Sequence, residues 1–179
     1  MYPIVRLATT VVGALRADRV DFLDTVTITL PVARSDVEAT RMNNGRYLTL
    51  MDLGRFALTL RGGYLPVVAK RRWMPLVASV MIRYLRSLRV GTTFELSTRI
   101  ACWDERYFFM EQWFERGGEV HTRALVKGLF MGPKGVVSSD DVVRAGGFAR
   151  SSPEFPASVR AWQAAEMAAF GDGRLAASA

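Results

Sequence analysis

One helix dictates the rest of this chain. Asn43 and Asn44 stand directly before an apolar run in which Tyr47, Leu50, Met51, Gly54, Ala57 and Leu58 recur with the spacing of a single helix face. Leu48, Leu53, Phe56 and Leu60 widen that face until little of the helix is polar. Such a helix must be surrounded rather than laid on a surface. Asparagine is a good N-cap, because its side-chain oxygen accepts a bond from an orphan N–H of the first turn. The start of the helix also offers N–H groups and positive dipole where a carbonyl oxygen or an anion can sit. Gly62-Gly63 ends it.

The surrounding material is strand-like. Before the helix, Val26, Ile28, Leu30 and Val32 alternate with threonines, a period of two. The segment from Ala33 to Arg41 reads as a polar loop. After the helix come four further strands, at about Trp73–Leu85, Thr93–Trp103, Tyr107–Glu115 and Glu119–Met131. Pro75 places the first of these at a sheet edge or delays its start. Phe94, Leu96, Thr98, Ile100 and Cys102 are expected to share one face, which makes Cys102 a buried, inert thiol. Asp104-Glu105 and Gly117-Gly118 are short turns, the second a two-residue hairpin signal. Short connections favour antiparallel neighbours. The fold class is therefore α+β, an antiparallel sheet wrapped around a long central helix.

Three segments follow from this reading: an apolar, amphipathic segment at 1–20, a central domain at 21–135, and a helical extension at 136–179. In the extension, Ser138 to Asp141 caps a short helix through Ala145. Pro153 to Pro156 starts another that runs to Phe170, and the last residues are expected to be disordered. Residues 3 to 15 are apolar but interrupted by Arg6 and too short to span a bilayer. They are expected to form a helix packed on the domain or lying at a membrane surface, with residues 1–19 as a peripheral contact.

Composition narrows the chemistry. A single cysteine and a single histidine exclude a disulfide framework and any Cys- or His-rich metal site. His121 lies among Glu119 and Arg123 and is expected to be exposed or at an interface. The net charge of +7 is spread thinly, with no zinc finger, RNA-recognition signature or basic zipper. It fits a solvated basic surface first, an anionic small molecule or membrane next, and nucleic acid last.

Met42-Asn43-Asn44-x-x-Tyr47, followed by Asp52, resembles the H-x-N-N-x-x-Y stretch that opens the central helix of hotdog-fold thioesterases of the 4-hydroxybenzoyl-CoA thioesterase-like group. Leu53-Gly54-Arg55 and the apolar N-terminus further resemble the subgroup of thioesterase superfamily member 6. The resemblance implies a hotdog domain acting on an acyl-CoA or acyl-carrier thioester, with coenzyme A as part of the substrate and no other cofactor and no metal. It implies a homodimer or homotetramer, sheets joined edge to edge, with sites at the subunit interface. It also implies a cytoplasmic setting, with membrane association where the N-terminus allows it. The start of the helix would polarise the thioester carbonyl, and a carboxylate on the preceding loop would activate water or attack directly.

In that group an aspartate stands ten positions before the tyrosine and a histidine six before it; here Val37 and Arg41 occupy those places. Asp36 and Glu38 flank the first, so either is a candidate base, or else a solvated loop carboxylate. Asn44 and Gly45 are candidates to polarise the carbonyl. Arg41, Asn43, Tyr47, Met51 and Asp52 are candidate substrate contacts. Asn43 could equally be a cap alone, and Tyr47 a core aromatic. Asp52 is either on an exposed stripe with Arg55 or a site carboxylate facing a dimer mate. Arg83 and Arg86, with Lys70-Arg71-Arg72, could receive coenzyme A phosphates or simply be solvated. The aromatic strand Tyr107 to Phe114 could line an acyl pocket or fill core and interface. Two other classes remain: a noncatalytic hotdog protein binding lipid or acyl groups at a membrane, and a dehydratase or hydratase dependent on His121.

Overall fold

The computed structural model describes residues 4–171 of the chain. In order it holds α1 (Ile4–Arg16), β1 (Val26–Pro31), a short hairpin of β2 (Val37–Glu38) and β3 (Arg41–Met42), α2 (Asn44–Arg61), α3 (Leu65–Arg71), β4 (Met74–Tyr84), β5 (Thr93–Trp103), β6 (Phe108–Arg116), β7 (Glu119–Gly132), β8 (Gly135–Val137), α4 (Ser139–Ala145) and α5 (Ala157–Phe170). The main sheet runs β1-β5-β6-β7-β4, antiparallel throughout, and β8 pairs with the end of β7. This is the hotdog arrangement.

Helix α2 fills the concave face of the sheet. Tyr47, Leu50, Met51 and Leu53 pack with Phe94, Leu96, Phe114 and Val126 in the largest buried cluster. The approach is closest at Gly54, where a Cβ would lie 2.4 Å from Thr98 Oγ1 and 2.9 Å from Gln112 Nε2. Only glycine lets the helix sit this low. The β6–β7 hairpin turns at Gly117 and Gly118, both with positive φ, 59° and 77°. Those values match the primed turns that suit twisted hairpins.

The outer face of the sheet is covered by α5, which joins Val159 and Trp162 to a cluster with Cys102, Phe109 and Leu125. Cys102 thus lies on this face, opposite to Phe94 and Leu96. A bulge between Ile100 and Cys102 reverses the alternation, since Ile100 pairs with Met110 but Cys102 with Phe109. A second bulge sets His121 apart. Thr122 pairs with Phe114 and Val120 with Glu115, so His121 is the extra residue. It is 8% exposed rather than solvated, because the bulge removes it from the alternation that would have put it outside beside Glu119 and Arg123.

Helix α1 packs on α2. Leu7 joins the main cluster, Thr10 and Ala14 are buried, and Val12 and Leu15 face outward. Among the described residues no helix is long and apolar enough to cross a membrane. Helix α3 and strand β8 are not foreseen by the sequence reading. α3 carries Pro66 as its second residue, in the first turn where the missing N–H has no intrahelical partner to lose, and both elements are too short to show a period. The expected terminal disorder falls on residues outside those described.

Candidate active site

The loop before α2 is held by its own carboxylates. Asp36 is 1% exposed. Its Oδ2 lies 2.7 Å from Arg6 Nη1 of α1 and accepts the Ala33 N–H at 2.9 Å; its Oδ1 lies 3.2 Å from Arg46 Nη2 of α2. It is neither a solvated loop group nor an open one: two guanidiniums and an amide surround it. Glu38 is exposed and accepts from Asn43 Nδ2.

The start of α2 is closed in the same way. Asn43 is the N-cap, and its Oδ1 accepts the Gly45 N–H at 2.8 Å. The Gly45 donor is thus already engaged, and Asn44 carries a carbonyl bonded by the Tyr84 hydroxyl at 3.1 Å. Burial, with Tyr47 behind it, raises the Tyr84 phenol pKa. Tyr47 is a core aromatic, 2% exposed, its hydroxyl taking the Leu88 N–H, and Met51 is fully buried. Arg41 is exposed and bridges Arg89 through the backbone. Arg86 pairs with Glu119 on the surface, and Arg83 is exposed directly across from Arg123. The residues named from the sequence therefore divide into a capped helix start, a buried ionic knot and an exposed basic strand end.

A cavity lies elsewhere. It has a volume of about 280 Å³ and runs between the second half of α2, α3 and the inner face of β4, β6 and β7. Asp52 and Arg55 mark one end; Phe22, Tyr64, Phe108 and Val142 lie toward the other. The walls are overwhelmingly apolar, with Phe56, Leu58 and Leu129 among them. At the polar end, Arg55 donates to Asp52 on its own helix and, at 2.6 Å, to Gln112 Oε1. Gln112 is itself 1% exposed and donates to the Met51 carbonyl at 3.0 Å and to Thr98 Oγ1 at 2.8 Å. The guanidinium is therefore anchored from beneath, and it fixes an Asp52 side chain that is 42% exposed. Of the candidate catalytic and substrate-contact residues named from the sequence, Asp52 lines this cavity, and Phe108 of the aromatic strand lines it too. Arg55, Gln112 and Phe56 were missed as site residues. Gln112 in a strand of aromatics was the available signal, since a buried amide needs partners.

At the far end the aromatic cluster is braced from behind. Phe148 stacks on Tyr64, with ring centroids 5.9 Å apart, and Arg150 grips Asp21 through two bonds of 2.8 and 2.9 Å. Burial first, then the Asp21 carboxylate, holds the Tyr64 phenol above its ordinary range against the opposing Arg150 charge. Among the described residues no group of His, Cys, Asp or Glu is placed to hold a metal ion. A largely apolar chamber with the Asp52 carboxylate fixed at one end can seat an acyl group and present water to its carbonyl.

Comparison with known proteins bears on the family and the fold. The sequence profile of the thioesterase-like superfamily matches residues 16–163. Protein THEM6 of Xenopus laevis is 36% identical over 124 residues, which cover 68% of this chain and 58% of that protein. The chain spans between 36% and 58% of the length of the curated relatives it matches. Among solved structures, a probable thioesterase from Bartonella henselae superposes with a TM-score of 0.59 at 20% identity, covering 64% of this chain and 98% of that one. The hypothetical protein SAV2348 of Staphylococcus aureus, solved in complex with CoA, gives 0.57 at 14% identity, covering 83% and 87%.

Proposed function

The chain belongs to the thioesterase-like superfamily, and from that premise we propose that it hydrolyses acyl-CoA-type thioesters with the acyl group in the cavity beside α2. The observation that carries this reading is the Asp52–Arg55–Gln112 set at one end of a largely apolar chamber. Asp52 takes a proton from a water as the water oxygen bonds to the thioester carbonyl carbon. The carbon–sulfur bond then breaks and the proton passes to the leaving thiolate. Arg55 holds the Asp52 carboxylate in place. This geometry favours Asp52 as base over Asp36, whose oxygens are occupied, and over Glu38, which lies on the loop away from the chamber.

The active unit is a homodimer in this proposal. Strand β4 is a sheet edge with Met74, Val77, Met81 and Tyr84 exposed, and Leu48 and Phe56 are exposed on α2. An unpaired apolar edge beside an apolar helix stripe supports pairing with a second copy. Arg83 and Arg123, like charges directly across the β4–β7 ladder, support binding of coenzyme A phosphates near that edge.

The closure of Asp36 favours a second reading, a noncatalytic protein that binds acyl groups. In that case Val12 and Leu15, exposed on α1, would meet a bilayer surface. Release of free thiol from short, long and aromatic acyl-CoAs decides between them, run on wild type, Asp52→Asn and Glu38→Ala. Turnover lost in Asp52→Asn with an unchanged circular dichroism spectrum supports the hydrolase. No turnover, but protection against thermal unfolding by acyl-CoA, supports the binding protein. Neither turnover nor protection sinks both.

A further inference from the structure

The cavity also has a measure built into it. It runs along α2 from Asp52 to Gly62, ten residues, or about 15 Å at the helical rise. Its volume of about 280 Å³ is close to twice the ~150 Å³ that accepts one benzene ring. By that ratio it holds on the order of ten carbons. The end remote from Asp52 is packed with aromatic rings. Phe22 meets Trp103 and Phe108 edge-on, at 5.3 and 6.0 Å between centroids, and Val142 and Val143 of α4 close the cluster. This floor is braced by the Asp21–Arg150 pair and by Phe148 on Tyr64, so a longer chain has packed rings to displace. Midway along, Gly128 forms part of the wall, and a Cβ there would come within 3.0 Å of Met110 Cε and 3.3 Å of the Leu76 carbonyl.

We infer that this chain selects medium-length acyl groups, with Phe22 and Val142 setting the depth and Gly128 the width. This rests on the acyl-CoA reading above and adds the substrate class to it. Apolar pockets discriminate by methylenes, because a surplus carbon that meets a packed wall must displace its atoms.

The test is a saturated acyl-CoA series from acetyl to stearoyl on the full chain. Both kcat/KM for thiol release and the shift in melting temperature at fixed ligand concentration are read. The expected profile peaks between octanoyl and dodecanoyl, with palmitoyl-CoA lower by at least about tenfold. Val142→Ala should move the peak toward tetradecanoyl, and Phe22→Leu should do the same if Val142→Ala fails to fold. Gly128→Ala should depress decanoyl more than butyryl. A flat profile, a peak at palmitoyl, or a peak unmoved by the floor variants overturns the length inference while leaving an acyl-CoA protein. No response to any acyl-CoA overturns the functional reading and the inference with it.

Discussion

Arg6 of α1 places its Nη1 2.7 Å from Oδ2 of Asp36, a carboxylate with no exposed surface, thirty positions further along the chain. The contact ties the N-terminal helix to the loop that enters the central helix, and Arg46 closes the same carboxylate from α2. Removing one partner of a buried ion pair strands the other's charge away from water. Arg6→Ala should therefore destabilise the chain by about 2–4 kcal/mol, read as a lowered urea midpoint. Asp36→Ala should cost a similar amount and lower the melting temperature at least as much as it lowers activity. A variant with full stability and no activity would instead return Asp36 to the chemistry.

Asp52→Asn should lower kcat for the best acyl-CoA by about 10²–10⁴-fold, the range of a lost general base. Acyl-CoA binding, followed by thermal protection, should persist, because the cavity walls are unchanged. Gln112→Ala should weaken turnover less, since it touches Arg55 rather than Asp52.

Gly54→Ala should cost about 1–3 kcal/mol by overpacking. The added methyl meets Thr98 and Gln112, two buried polar groups joined to each other, so the strain falls on a network with little room to adjust. Gly54→Ala with Thr98→Ser should not recover the loss, because the hydroxyl that clashes remains. A urea titration of both variants checks this.

Burial first, then the carboxylates of Asp104 and Glu111, pushes the Cys102 thiol from 9.0 up to about 11. A thiol-specific chromogenic reagent at pH 8 should thus react slowly with the folded chain and fast in denaturant. Because the unfolded thiol ionises near 9 and the folded one near 11, the unfolded chain loses its proton first. The stabilising share of this group is full below about pH 9 and declines as pH rises toward 11. Cys102→Ala should flatten that part of the stability–pH curve.

Met81→Asp puts a charge on the exposed edge of β4, where charged side chains discourage strand addition. A wild type that elutes as a dimer should become monomeric in this variant, by light scattering, with its helix content unchanged. Retention of the wild-type mass would move the interface off this edge.

The sequence by itself determined the frame. The apolar run from Tyr47 to Leu58 can only be a surrounded helix, and the alternating strands after Trp73, joined by glycine and acidic turns, can only supply an antiparallel sheet around it. Those signals are local, because helical and strand periods are read within a dozen residues. The asparagine cap, the Gly62 stop, the Ser138 cap and the β6–β7 hairpin were legible for the same reason. What only the tertiary structure decided is which polar groups meet. Two one-residue bulges reversed the facing of Cys102 and withdrew His121 from solvent, and a bulge leaves no mark on composition. Asp36 looked like an open loop carboxylate until Arg6, far away in the chain, was folded against it. Asp52 read either as part of an exposed stripe with Arg55 or as a site carboxylate; only the fold shows it paired with Arg55 beside a chamber whose walls come from separate segments of the chain. Periodicity reports how one element faces the core; the partners of a buried charge depend on how distant elements are packed together, and that is settled only in three dimensions.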